Sequence, residues 1–413
     1  MNRGIILFIL LAFLIQPVSI SGQTLEAYLQ QAAENNPGLK AKYIDFEIAL
    51  QKIPQMSSLP DPSLSFGYFV SPVETRVGPQ KARLELNQMF PWLGTLAAQK
   101  DAASLSAEAQ YQTFIDAKNE LYYQVTTAYY PLYEAREMVR LQEENLDILT
   151  SFKQLATTAF SNAKGSMVDV IRADIMIDNT NTDIAVLKEK LKPLQTAFNR
   201  LLNRPDSSSI TIAEDIAIDL ENIAFNKDTV LFHNPQLKAF DLKLKESQAQ
   251  EKAAFRNGLP RIGIGLSYVF VDKRPDVTLK ENGKDALMPM ISMTLPLFRK
   301  KYTAAVKEAQ LKQMNFKLQK QNMENSLVSA FESTVFQVVQ ARRFYELNLT
   351  QIAKTRQAID LLATAYSNSG KDFDEVLRMQ LQLLKYEMAR ATAVKDYYTA
   401  VAKYNYLSGF AKS

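Results

Sequence analysis

Along most of this chain apolar residues recur at spacings of three, four and seven. Leu141, Ile148, Phe152, Leu155 and Ala159 follow one another at intervals of 7, 4, 3 and 4, and Ile352, Ile359, Leu362 and Tyr366 at 7, 3 and 4. Such seams, with charged residues between them, belong to long helices that pack as coiled coils. Helix breakers are absent where the seams run. No glycine lies between Gly94 and Gly165, between Gly165 and Gly258, or between Gly283 and Gly370, and no proline follows Pro296. The pattern predicts long helices over about 97–162 and 299–367, and shorter ones over about 24–53, 166–203, 229–257 and 372–410. At roughly 1.5 Å of rise per residue a long helix would extend about 100 Å, the length of two short ones laid end to end. Pro131 and Pro193 are expected to kink their helices.

Four stretches break the helical pattern. In 62–71 (PSLSFGYFVS) Leu64, Phe66, Tyr68 and Val70 share one side. In 81–90 (KARLELNQMF) Ala82, Leu84 and Leu86 oppose Arg83, Glu85 and Asn87. In 260–271 (PRIGIGLSYVFV) Ile262, Ile264, Leu266, Tyr268 and Phe270 oppose Gly263, Gly265 and Ser267, while 288–298 (MPMISMTLPLF) alternates less cleanly. Period-two alternation is the mark of a strand with two different faces, and about ten residues is the length of a tilted membrane-spanning strand. Turn-rich loops at Ser71–Gly78 and Asp272–Gly283 join the stretches into two hairpins.

The chain also repeats itself. NNPGLKA at 35–41 returns as HNPQLKA at 233–239, Pro60 as Pro260, FPWLG at 90–94 as LPLF at 295–298, and AFSNAKGSMVDVIR at 159–172 as AYSNSGKDFDEVLR at 365–378. The offsets drift smoothly through 198, 200, 205 and 206, as expected for a tandem duplication. The expected organisation is a signal peptide over 1–22, a first repeat over 23–203, a linker over 204–228 and a second repeat over 229–413.

Composition narrows the class. With 47% hydrophobic and 22% charged residues the chain should fold. A net charge of +4, spread along the sequence, leaves no nucleic-acid footprint. The opening MNRGIILFILLAFLIQPVSISGQ has a basic start, an apolar run from Ile5 to Ile15 and small residues at Ser19, Ser21 and Gly22: a signal peptide cleaved near Gly22. An uncleaved membrane anchor is the alternative. The chain has no cysteine, which excludes disulfides, thiolate metal sites and a lipoprotein anchor. No later stretch offers 18 consecutive apolar residues, so any passage through a membrane would be as a β-barrel.

The Asn-Pro pairs (36–37, 234–235), LPDPSL before the first hairpin, NQMFPWLG after it, the turns at 165–170 and 370–376, and the closing AKYNYLSG (402–409) resemble the TolC-type outer-membrane efflux protein family over essentially the whole mature chain. The resemblance implies a mostly α fold with a β-barrel part. Long coiled-coil-like helices would form an α-barrel tube, and four transmembrane strands per protomer would build a twelve-stranded barrel in a homotrimer. It implies an outer-membrane channel reaching into the periplasm: the passive exit duct of a tripartite efflux system. Its partners would be a periplasmic adaptor, an inner-membrane transporter and outer-membrane lipid. The chain lacks the lipidation cysteine of some metal-efflux relatives, and Arg378 stands near a position where some members are acidic. A periplasmic coiled-coil scaffold or adaptor, and a surface adhesin, are the competing readings.

Candidate functional residues cluster at the two turns between a long helix and a short one. Asp169, Asp372, Asp374 and Glu375, with Arg378, could ring and gate the periplasmic entrance; equally, acids at helix starts cap the helix and suit its dipole. Ser161, Asn162, Lys164, Gly165, Asn368, Gly370 and Lys371 are candidates for adaptor contact, and each glycine suits a helix C-cap with positive φ. Met288, Met290 and Met293 raise soft-metal transport, against ordinary packing or lipid contact. His233, beside Asn234-Pro235, reads as a helix-start residue, and Trp92 as either an interface marker or a core residue. Nucleophile-elbow, P-loop and metalloprotease motifs are absent, so no enzyme, metal or cofactor is expected.

Overall fold

The computed structural model describes residues 25–214, 216–218, 224–276, 278–369 and 373–410, and the signal-peptide expectation lies outside them. In chain order the elements are α1 (Leu25–Asn35), α2 (Pro37–Ser57), β1 (Ser63–Val73), β2 (Gln80–Phe90), α3 (Thr95–Ser161), α4 (Met167–Leu201), α5 (Lys227–His233), α6 (Pro235–Asn257), β3 (Arg261–Val271), β4 (Ala286–Thr294), α7 (Lys300–Ser369) and α8 (Phe373–Leu407). Helix, helix, hairpin, long helix, short helix occurs twice, the long helices having 67 and 70 residues and the helices after them 35 each. Among the described residues no helix is long and apolar enough to cross a membrane.

Three expectations need correction. The short helices expected at 24–53 and 229–257 are each broken in two, at Asn36 and Asn234. The reason is capping. Asn234 Oδ1 accepts from the backbone of Gln236 (3.0 Å) and Leu237 (3.3 Å), with Pro235 opening the new helix. Asn36 Oδ1 accepts from Leu39 N at 3.0 Å, while its Nδ2 donates to Leu201 O at 3.0 Å. His233 therefore ends a helix rather than starting one, its ring lying against Phe232 and Phe410. The fourth strand runs from Ala286 to Thr294 and not to Phe298, because Pro296 has no N–H to extend the ladder. Pro131 and Pro193 both lie within uninterrupted helices.

Two compact units are present, and each draws on both halves of the sequence. The unit built from Ala41–Asp116 and Asn234–Ser326 contains the sheet. Its four strands are antiparallel in the order β1-β2-β3-β4, so the second hairpin pairs with the first through β2 and β3. Register fixes two faces. Leu86 stands opposite both Leu64 and Leu266, and Ile264 opposite Ile291, so Leu64, Phe66, Tyr68, Leu84, Leu86, Ile262, Ile264, Leu266, Ile291 and Met293 share one exposed apolar face. The other face carries Ser63, Ser65, Arg83, Glu85, Asn87, Ser267, Ser292 and Thr294. There Gly263 and Gly265 are required by close approach: a Cβ at Gly265 would collide with Asn87 Oδ1, and one at Gly263 with Ser292 Oγ and Met89 Sδ. In the same unit Arg256 donates to Gly94 O at 2.5 Å, holding α6 to the turn that leaves β2.

The other unit, from the described parts of Met1–Lys40, Ala117–His233 and Leu327–Ser413, is helical. Tyr28 and Phe198, both fully buried, meet edge to face at 5.1 Å. The extended stretch after α4 is hung from the helices through tyrosine hydroxyls. Tyr28 Oη accepts from Thr211 N at 2.8 Å, Tyr129 Oη accepts from Ala213 N at 3.0 Å, and Tyr398 Oη donates to Ala217 O at 2.7 Å. Its Ile210, Ile212 and Ile218 are buried beneath, so the alternating sequence of this linker has a packing reason. We predict that Asn36→Ala, losing both a cap and the bond to Leu201, lowers unfolding stability by about 1–2 kcal/mol, read from the denaturation midpoint of the helical circular-dichroism signal. Asn36→Asp, which keeps only the cap, should cost less.

Candidate functional site

At the C-terminal ends of α3 and α7 the long helices turn back into α4 and α8, and the four helix ends share one core. Leu149, Ala156, Val170, Ala173, Tyr366, Phe373, Val376 and Leu377 are buried together, with Phe152, Leu155 and Leu362 packed against them. Phe152, Leu155, Leu362 and Tyr366 among them are seam residues of the two long helices, which meet here with residues of α4 and α8. Tyr366 lies on Phe373 at 4.8 Å between ring centroids, and its buried hydroxyl has no hydrogen-bond partner among the described residues. Burial pushes this phenol's pKa up, and the nearby Asp169 charge adds to the push.

In the first turn Lys164 N donates to Ala159 O at 2.9 Å and Ala163 N donates to Phe160 O at 3.0 Å, closing the end of α3. The left-handed residue is Ala163 (φ 54°), not Gly165, which corrects the expected C-cap. Gly165 is favoured by proximity instead, since a Cβ there would lie 3.0 Å from that of Ala159, closer than an ordinary contact. Ser161 and Asn162 turn inward in a local sense, bonding the carbonyls of Thr157 (3.0 Å) and Thr158 (2.9 Å); Lys164 is exposed. Asp169 completes a capping box: Ser166 Oγ accepts from Val168 N at 3.2 Å, and Ser166 N donates to Asp169 Oδ2 at 3.4 Å. In the second turn Gly370, Lys371 and Asp372 lie outside the described residues, as does the side chain of Asn368.

Asp374 is the meeting point of the two halves. Its carboxylate pairs with Arg172 of α4 at 3.1 Å and with Arg378 of its own helix at 2.9 Å, and Arg378 also reaches Glu375 at 3.2 Å. The hydrogen bond from Arg378, and then the Arg172 charge, hold the Asp374 carboxyl below its ordinary range, while Asp374 first and Glu375 next raise Arg378. A groove of about 280 Å³ beside this triad is lined by Arg172, Ile175, Met176, Asp374, Leu377 and Arg378. Every acid described at these turns thus has a partner, so the group presents balanced charge rather than a bare acidic rim.

Further from the turns the seam holds a polar layer. Gln380 Nε2 donates to Asn145 Oδ1 at 3.1 Å, Asn145 faces Thr180 at 3.5 Å, and Gln142 Nε2 donates to Asp183 at 3.3 Å. Buried polar residues in an apolar seam fix helix register at some cost in stability. Arg172 and this layer are the functional candidates that sequence reading did not single out. Arg172 had a signal, since it ends the repeated phrase that Arg378 ends in the second copy. The methionine trio does not converge: Met288 and Met290 share the polar face of β4 and Met293 the apolar one. Among the described residues there is no cluster of three or more His, Cys, Asp or Glu positioned for a metal ion.

The paired carboxylate gives a pH expectation. A depressed pKa means that the Asp374 clamp is fully formed above the unfolded carboxyl value of about 3.9 and is lost only as pH falls through the lower folded value. Carboxyl titration followed by NMR should give Asp374 a midpoint below that value. Arg378→Gln should raise the midpoint further than Arg172→Gln, following the order of their influence.

Comparison with known proteins places this architecture. Residues 28–204 match the family model described as outer membrane efflux protein. The chain is 21% identical over 400 residues to the outer membrane efflux protein BepC of Brucella suis, covering 94% of this chain and 85% of the relative. Among solved structures it is similar to VceC of Vibrio cholerae (15% identity, 94% of this chain and 96% of that one, TM-score 0.74). It is likewise similar to the open-state MtrE channel of Neisseria gonorrhoeae (19% identity, 94% and 89%, TM-score 0.72). A mostly helical chain carrying a small two-faced sheet is thus similar to outer membrane efflux proteins, in sequence most clearly over residues 28–204 and in fold over nearly its whole length.

Proposed function

We propose that this protein is the outer-membrane exit duct of a tripartite efflux system. It conducts passively and is not an enzyme; a periplasmic adaptor couples it to an inner-membrane transporter that supplies the energy. The carrying observation is the sheet: one apolar exposed face, one polar face, and edges at β1 and β4 left without a strand among the described residues. In hydrocarbon an open edge would strand backbone N–H and C=O groups, and four strands cannot curl around a channel. The remedy is pairing between copies, β4 of one against β1 of the next. Three copies give the twelve-stranded barrel that the family resemblance implies, with the apolar face to lipid and the polar face to the lumen.

The helices continue the conduit in the periplasm, and the doubled order of elements reads as a duplicated unit, so that a trimer surrounds its axis with six similar helix–hairpin–helix modules. The turns after α3 and α7 form the entrance. There the Arg172–Asp374–Arg378 triad ties α4 to α8, and separating those helices would require breaking it. Asp169, Asp372 and Glu375 complete the charged rim, and Ser161, Asn162, Lys164, Gly165, Asn368, Gly370 and Lys371 offer the surface that an adaptor would meet.

Two measurements test this. Purified full-length protein should run as a heat-modifiable trimer and give discrete single-channel conductance in planar bilayers; a soluble, non-conducting monomer would contradict the channel. Asp374→Asn should raise conductance or lengthen open time at neutral pH by releasing the inter-helix clamp, with Arg172→Gln acting in the same direction. Unchanged conductance in both variants would remove the triad from the gate.

A further inference from the structure

Where the sheet meets the helices, Phe90, Ile262 and Met293 stand in one row across β2, β3 and β4. Just past that row the chain carries Trp92 and Leu93 after β2, and Leu295, Leu297 and Phe298 after β4. Leu93 is 88% exposed, Leu297 78% and Phe298 85%, more than most residues of the strands' own apolar face, and Trp92 is 41% exposed. Arg299, Lys300 and Lys301 follow immediately, all three exposed. None of them is paired with a carboxylate among the described residues; Lys301 only leans over the Tyr302 ring, 4.8 Å from its centroid.

An exposed apolar band next to unpaired cations is the composition of a surface that faces acyl chains on one side and headgroups on the other. We propose that this border is a lipid-binding collar. Trp92, Leu93, Leu297 and Phe298 enter the boundary between acyl chains and headgroups, and Arg299, Lys300 and Lys301 hold the phosphodiester of an anionic phospholipid. The inference rests on the reading that the sheet spans the bilayer. Two observations select lipid over a second copy of the chain. The band lies directly past the row of Phe90, Ile262 and Met293 on the apolar face of the sheet, whereas copies would meet at the strand edges. Its neighbours are also uncompensated positive charge, which another copy's identical collar could not neutralise. Arg adds a planar fork suited to phosphate oxygens.

Trp92 is the only tryptophan in the chain, so its fluorescence reports on the collar alone. The test reconstitutes the full-length channel in phosphatidylcholine vesicles containing phosphatidylglycerol, with bromine on the acyl chains of one lipid or the other. Brominated phosphatidylglycerol should quench Trp92 with a relative association constant about fivefold or more above that of brominated phosphatidylcholine, the scale of one cation near an anionic surface. The triple variant Arg299→Gln/Lys300→Gln/Lys301→Gln should bring the ratio to about one while still conducting, and Arg299→Lys should retain the preference. Equal quenching by both lipids in the unaltered protein, or a preference that survives the triple substitution, overturns the collar and leaves the channel standing. A conducting channel that neither lipid quenches means that protein covers the band, and also overturns the proposal. Loss of quenching together with loss of conductance would sink the bilayer reading itself.

Discussion

Each outer strand, β1 and β4, has one edge whose backbone N–H and C=O groups meet no strand among the described residues. In water such an edge is an aggregation hazard; in lipid it is forbidden, because nothing there can satisfy the stranded groups. This constraint organises the rest. An apolar face that suits hydrocarbon cannot be used until the edges are closed, the edges can be closed only by other copies, and closure around a polar inner face makes a water-filled passage. On the proposed reading, oligomerisation, membrane residence and conduction all answer to the same unpaired hydrogen bonds.

The inner face has its own demands. Asn87, Met89 and Ser292 lean across β3, and only glycine at 263 and 265 leaves them room. The outer face of β3 meanwhile carries Ile262, Ile264 and Leu266. One strand therefore reads as alternating glycine and aliphatic residues: absent side chains where neighbours crowd, large ones on the exposed apolar face. The helices show the complementary logic. Their seams are apolar at the turns, where Tyr366, Phe373 and Leu149 pack, but interrupted by Asn145, Thr180 and Gln380, which set register between helices that could otherwise slide by a turn. The Asp374 clamp closes this arrangement with exposed ion pairs, which are individually weak and can be broken without unfolding anything.

Much of this was legible in the sequence because it rests on periodicity. The spacing of Leu141 to Ala159 and of Ile352 to Tyr366 specified both long helices to within about two residues, which is the usual uncertainty of a helix end. The alternation at Ile262 to Phe270 specified a two-faced strand. What was not legible depends on side chains meeting across the chain. That β2 pairs with β3 follows from tertiary packing, which no local pattern encodes. Arg172 could be seen as the counterpart of Arg378, but its partner Asp374 occupies a position that is Val168 in the first copy, so the pairing breaks the symmetry from which it would have been inferred. Asn36 and Asn234 stand in the repeated phrase, yet their capping bonds, which split a helix in two, depend on side-chain geometry that no local pattern specifies. The positive φ at Ala163 rather than Gly165 reflects a turn closed by hydrogen bonds at one residue and by van der Waals contact at the other.

Whether the sheet separates lipid from lumen is directly measurable, because the chain has no cysteine. Single cysteines are placed on the polar face (Ser65→Cys, Ser292→Cys) and on the adjacent apolar face (Phe66→Cys, Ile291→Cys) of the conducting channel in vesicles. They are then exposed to a water-soluble, membrane-impermeant maleimide. Rapid labelling is expected at 65 and 292 and little at 66 and 291, a period of two along each strand. Equal labelling of neighbouring positions would show that both faces of the sheet meet water, and would contradict that separation.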